Sequence, residues 1–194
     1  MAQTRSLFLS GSNMTDDRLS ERPAVAAGVA FASAQTSLGR VLVARRSDGV
    51  CAILLGDGDE RLMRDLAAIF PDTACERRQD ALRPELAAAV ALTENPGAAF
   101  EPPLSIGGTP FQKKVWAALH DIPAGATVSY VEIALRIGAP SALRAVAGAC
   151  AANVLAIAIP CHRVLRSDGS LSGYRWGLER KRALIEREKA ATAT

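Results

Sequence analysis

The chain has 194 residues, of which 49% are apolar and 22% charged, and a net charge of +3. That length makes one domain or two small ones, and the composition excludes wholesale disorder. The longest apolar runs, residues 86–92 and 154–159, fall far short of the ~20 residues a membrane-spanning helix needs. No membrane partner is expected. Four cysteines stand at 51, 75, 150 and 161 with no CxxC pair, and there are only two histidines. This argues against a disulfide scaffold and offers no metal-ligand set. The N-terminus has one early Arg and a three-residue apolar patch, too little for a secretion signal. A reduced, cytoplasmic protein is expected.

Residues 1–23 have no periodicity and read as a flexible tail. Segments 28–34, 40–45 and 50–55 read as strands of an antiparallel meander, because Ser37-Leu38-Gly39 and Ser47-Asp48-Gly49 punctuate them. Apolar residues at 62, 63, 66, 69 and 70 predict a helix over 59–70, stopped by Pro71. A second helix is predicted over 83–92, with Pro84 in its first turn. Residues 24–92 thus form a small supporting domain without a nucleophile–base pair or a phosphate loop. The Pro- and Gly-rich stretch after it makes 93–107 a linker, and 108–190 the second domain.

The second domain reads as helical. Helices are predicted over 110–120, over 130–137 with Ser129 as cap and Gly138 as stop, and over 142–153 with Ser141 as cap. Two short helices joined by a tight turn match the helix-turn-helix pattern, which many helical pairs share. Leu143, Val146, Ala147 and Cys150 repeat at i, i+3, i+4, i+7 and read as a core face. Beside them lies a smooth surface of Arg144, Ala145, Gly148, Ala151 and Ala152. It suits close packing against another helix, or a narrow DNA groove with one cation reaching between bases. The pattern alone leaves both open. Charge is uneven: residues 1–100 carry 11 basic and 13 acidic side chains, residues 101–194 carry 12 and 7. A basic half is suited to a polyanion.

The chemistry points to Pro160-Cys161-His162-Arg163-Val164. A thiolate is a nucleophile, and a neighbouring imidazole favours it. In an extended segment, adjacent side chains diverge, so a bridging water is expected between Cys161 and His162. A carboxylate should orient the imidazole, and the final helix, 178–190, offers Glu179, Glu186 and Glu188. Taken alone, the dipeptide is also what an inert buried cysteine looks like.

These residues resemble the active-site motif of the O6-alkylguanine-DNA alkyltransferases, direct-reversal repair proteins, most of all their bacterial adaptive-response branch. The resemblance extends to Ser129-Tyr130, to Arg144-Ala145-Val146-Ala147 with Asn153, to Leu171-Ser172-Gly173-Tyr174-Arg175-Trp176-Gly177, and to Glu188. It is strong over 108–190 and weaker over 24–107. It implies an α/β protein with an RNase H-like N-terminal domain and a helical, winged helix-turn-helix-type C-terminal domain. It further implies irreversible, stoichiometric, cofactor-free transfer of an alkyl group from O6-alkylguanine, and O4-alkylthymine, to Cys161. His162 would be the base, Glu188 its orienter, Tyr130 a phenol donating to the purine, and Asn153 a hinge. Arg144 would fill the gap left by the flipped base, with Ser141, Ala145, Gly148 and Ala151 against the minor groove. Cys161, Val164, Tyr174 and Arg175 would line the base pocket, with no metal. The implied partner is duplex DNA, bound by a monomer, cytoplasmic and nucleoid-associated. A lesion sensor without repair activity and a cysteine hydrolase are the other readings.

Overall fold

The computed structural model describes residues 28–95 and 98–192, so the expected tail lies outside the described residues. Strands β1 (Val29–Thr36), β2 (Gly39–Arg46) and β3 (Gly49–Gly56) form the expected antiparallel meander, each a residue or two longer than the pattern suggests. Their residues are almost continuously buried, as β-branched and aliphatic side chains require when both faces are covered. Helix α1 (Asp59–Ile69) packs on β3, and α2 (Arg83–Glu94) on β1 and β2. One strand of this sheet was not foreseen. β4 (Cys75–Arg77) pairs parallel with β1, giving the order β3-β2-β1-β4. At three residues, two of them exposed, it carries no alternation to read.

The expected linker is partly structured. Val50 N–H donates to the Pro103 carbonyl and Ser105 N–H to the Val50 carbonyl, each at 2.8 Å, so residues 103–105 extend the sheet beyond β3. Further along the same edge, Ile53 N–H donates to Val154 O at 2.8 Å and Ala156 N–H to Ile53 O at 2.9 Å. Gly49 makes the first approach possible: its φ is +140°, and a Cβ there would lie 2.5 Å from the Pro103 carbonyl oxygen. Gly49→Ala is therefore expected to destabilise the protein by at least ~1–3 kcal/mol, read as a lower urea midpoint at unchanged slope.

The remaining elements are α3 (Pro110–His120), β5 (Val128–Ser129), α4 (Tyr130–Arg136), α5 (Leu143–Ala152), β6 (Val164–Leu165) and α6 (Leu178–Thr192). Strands β5 and β6 pair parallel and were not predicted. Thr109 with Gln112 and Ser129 with Glu132 form capping boxes that start α3 and α4. The expected Ser141 cap is corrected: α5 has Ala142 as its N-cap, with no side-chain cap bond. A tight turn, in which Ala142 N–H donates to Ala139 O, leads the chain into the helix and leaves Ser141 exposed.

The expected core face of α5 is also corrected. Leu143 is 40% exposed and Ala147 is exposed, whereas Val146, Ala149 and Cys150 are buried and Asn153 follows them inward. That stripe keeps the i, i+3, i+4, i+7 spacing but starts at 146. Its position is set by Trp116 of α3, whose indole Nε1 donates to the Ala149 carbonyl at 2.8 Å. That carbonyl lies in the last turn of α5, where Asn153 N–H bonds to Cys150 O instead. The result is a mixed α/β protein, a small sheet with two helices joined to a helical half. Among the described residues, no helix is long and apolar enough to cross a membrane.

Candidate active site

The segment before Cys161 is shaped by Ile157, a buried β-branched residue with φ of +65°. Such a conformation is strained for Ile and persists only where the surroundings fix it. Here the β3 edge does so from Ile53. Asn153, the C-cap of α5, locks the same loop from the other side. Its Nδ2 donates to Ile159 O at 2.8 Å and to Cys161 Sγ at 3.2 Å, while its Oδ1 accepts from Leu155 N–H at 2.9 Å. The chain at 161–163 is a 3-10 turn, not the extended segment expected.

Cys161 is 4% exposed and lines a cavity of about 550 Å³. Tyr130, Ala147, Cys150, Ala151, Arg166 and Ser172 are among its walls, together with Tyr174 and Arg175. The walls are thus drawn from α4, α5 and the loop between β6 and α6. Burial pushes the Cys161 thiol up to about 11, against the Asn153 hydrogen bond and the nearby Lys181 charge. The sulfur is therefore protonated at neutral pH. Cys150 is pushed higher still, to about 12, by burial and by Cys161.

Behind the cysteine, His162 is fully buried and its Nε2 lies 2.7 Å from Glu188 Oε1. The carboxylate is gripped by further donors. Arg163 reaches it through Nε and Nη2, both at 2.9 Å, and Gly125 N–H donates to Oε2 at 3.0 Å. Gly125 has φ of +80°, and a Cβ there would meet Thr192 Oγ1 at 2.5 Å, so the Pro123-Ala124-Gly125 turn closes on α6 only as glycine. Burial acts to raise the Glu188 pKa, but His162 and Arg163 hold it down at about 2. Burial lowers the His162 pKa, with Glu188 opposing. At neutral pH the pair is a carboxylate and a neutral imidazole. Its Nε2–H donates to Glu188, leaving Nδ1 with its lone pair and no hydrogen-bond partner among the described residues.

The expected site residues divide into three groups. Cys161, Tyr130, Ala151, Tyr174 and Arg175 share the cavity, with His162, Glu188 and Asn153 in contact behind or beside the sulfur. The Tyr174 hydroxyl is buried with no partner among the described residues. Val164 is not in the cavity wall, and its carbonyl accepts from Lys181 Nζ at 2.6 Å. Ser141, Arg144, Ala145 and Gly148 lie outside the cavity on exposed surface at and along α5. A Cβ on Gly148 would meet nothing within 4 Å, which removes the packing explanation for its small size. Sequence reasoning missed Ser172 and Lys181, and left Arg163 and Arg166 without roles. Among the described residues, no cluster of three His, Cys, Asp or Glu side chains is placed to hold a metal ion.

A family model described as "6-O-methylguanine DNA methyltransferase, DNA binding domain" matches residues 110–190, which span the whole cavity wall. The half of the chain that forms the cavity is thus similar to the DNA-binding domain of a methyltransferase. The chain is 49% identical over 160 residues to the bifunctional transcriptional activator/DNA repair enzyme Ada of Escherichia coli, covering 82% of this chain and 45% of Ada. It is 42% identical over 124 residues to the inducible methylated-DNA–protein-cysteine methyltransferase of Bacillus subtilis, covering 64% of this chain and 69% of that protein. The crystal structure of Mycobacterium tuberculosis OGT in complex with DNA has a TM-score of 0.71 at 34% identity, covering 83% of this chain and 93% of that one. The chain belongs to the methylated-DNA–protein-cysteine methyltransferase family. It spans about half the length of the first curated relatives it matches.

Proposed function

We propose that this chain repairs O6-alkylguanine, and O4-alkylthymine, in duplex DNA by moving the alkyl group irreversibly onto Cys161. The observation that carries this is a buried cysteine at the wall of an open cavity, backed by a buried imidazole–carboxylate pair. The alkyl carbon–oxygen bond breaks as a carbon–sulfur bond forms. The thiol proton passes through a bridging water to Nδ1 of His162, which Glu188 holds in the required tautomer. The leaving oxygen becomes the guanine carbonyl as the purine ring gains one proton from Tyr130, which recovers it through water from the imidazolium formed at His162. A thiol this hard to ionise must lose its proton as the substrate arrives, which protects it from other electrophiles. The reaction uses no cofactor, and a thioether does not revert, so each molecule acts once.

A base inside a stacked duplex cannot reach the cavity and must rotate out. In this reading α4 and α5 form the helix-turn-helix of a winged domain, and the N-terminal sheet is RNase H-like, with the division at 93–107. Gly148, Ala145, Ala151 and Ser141 face the minor groove. Arg144 fills the vacated stack, while Tyr174 and Arg175 contact the base. The protein acts as a cytoplasmic, nucleoid-associated monomer. Gly148→Ala is expected to stabilise the fold by about 0.5–1 kcal/mol, because it fills only solvent in a helix. Gly148→Leu should leave melting unchanged or raised while weakening duplex binding. Arg144→Ala should slow repair in duplex DNA and spare reaction with a free alkylguanine base.

The deciding experiment uses a duplex with one labelled O6-methylguanine and peptide mapping of the protein afterwards. One label per chain on the Cys161 peptide supports the reading. Repeated turnover, label elsewhere, or hydrolysis of an activated ester in its place overturns it.

A further inference from the structure

Lys181 is the largest fully buried side chain among the described residues, with 0% exposure. Its ammonium has no carboxylate partner among the described residues. It donates instead to neutral oxygens: Val164 O at 2.6 Å, Ser172 Oγ at 3.2 Å and Ser172 O at 3.4 Å. A buried cation without a counterion is expensive, and so its placement calls for a reason. Ser172, itself buried, continues the chain: its Oγ lies 2.7 Å from the Tyr130 hydroxyl, in the wall of the cavity that holds Cys161.

The direction of the chain follows from donor counting. Lys181 can only donate, so it occupies a lone pair of Ser172 Oγ and polarises the serine O–H. Ser172 then favours donating to the Tyr130 oxygen. This leaves the phenol proton for a group in the cavity. Aligned donors strengthen one another, and a fixed dipole chain ending at the reaction site stabilises negative charge as it develops. We propose that Ser172 is a positioning residue for alkyl transfer: anchored by Lys181, it turns the Tyr130 hydroxyl into an oriented donor toward the departing base. This deepens the alkyl-transfer reading and rests on it.

The test is a double-mutant cycle on the full chain, with single-turnover transfer from an O6-methylguanine duplex as the readout. Ser172→Ala is expected to slow transfer about tenfold, and to change the rate less than about twofold in a Tyr130→Phe background. A second readout uses the chain's two tyrosines, 130 and 174, labelled as 3-fluorotyrosine. The Tyr130 fluorine resonance, assigned by its loss in Tyr130→Phe, should move in Ser172→Ala. An unchanged rate, equal slowing in both backgrounds, or an unmoved Tyr130 resonance overturns the proposal. If the parent chain labels Cys161 but Ser172→Ala is as fast, only this proposal falls. A parent chain that labels nothing overturns the alkyl-transfer reading and this proposal together.

Discussion

Cys161→Ser is expected to abolish label retention while leaving duplex binding and the melting temperature close to those of the parent. The exchange is nearly isosteric at a site with 4% exposure, so no cavity opens. Asn153 Nδ2, now 3.2 Å from the sulfur, meets a hydroxyl oxygen instead and keeps a partner. What is lost is chemical. A serine hydroxyl gives up its proton far less readily than a thiol and is a weaker nucleophile toward carbon. Incubation with a labelled duplex, followed by counting of protein-bound label, separates the outcomes. Cys150 lines the same cavity and supplies an internal control. Label moving to Cys150 in the serine variant would show that the cavity, rather than the His162–Glu188 pair, selects the nucleophile.

Glu188→Gln should damage both stability and rate. The amide preserves shape but removes the carboxylate that accepts from His162, Arg163 and Gly125. Breaking a buried ion pair from one side costs about 3–5 kcal/mol. Loss of an oriented base should lower the single-turnover rate by about 10²–10⁴-fold. The pH dependence provides a further check. The Glu188 pKa is lowered from 4.5 to about 2 on folding, so its contribution is complete above 4.5 and disappears as pH falls toward 2. The His162 pKa is likewise lowered from 6.5, so the unfolded chain takes up that proton first and stability falls as pH drops below 6.5. Denaturant titrations of the parent at pH 7, 5 and 3 should show a stepwise decline, with the Gln variant losing the step below 4.5. Transfer should persist somewhat below the ordinary histidine range, because the imidazole stays neutral there.

The sequence was most legible where one physical signal had no rival. The meander was readable because glycine turns bracket three largely apolar runs, α3 because its apolar residues recur at helical spacing, and α4 because its Ser129 cap is explicit. The Cys161–His162–Glu188 alignment came from a family resemblance; the residue pattern alone left three glutamates open. The α5 face was misjudged since Leu143 and Ala147 have the right spacing but the wrong phase, which Trp116 decides from another helix. Ser141 looked like a cap because the preceding turn was invisible. β4, β5 and β6 are too short to alternate. Lys181 was hidden in Arg180-Lys181-Arg182, which reads as a solvated run. Yet Lys181, Leu184, Ile185 and Glu188 fall at i, i+3, i+4, i+7, and these are the four buried residues of α6. A charged residue within an apolar stripe was the available signal.

The bonds from Ile53 to Val154 and Ala156 have a further meaning. The loop leading to Cys161 is registered against a sheet built some hundred residues earlier, so the N-terminal half works as a jig that sets the height of the sulfur. Amputating that half would take away the bench as well as the spare length. A point change in β3 is expected to shift Cys161 without touching it.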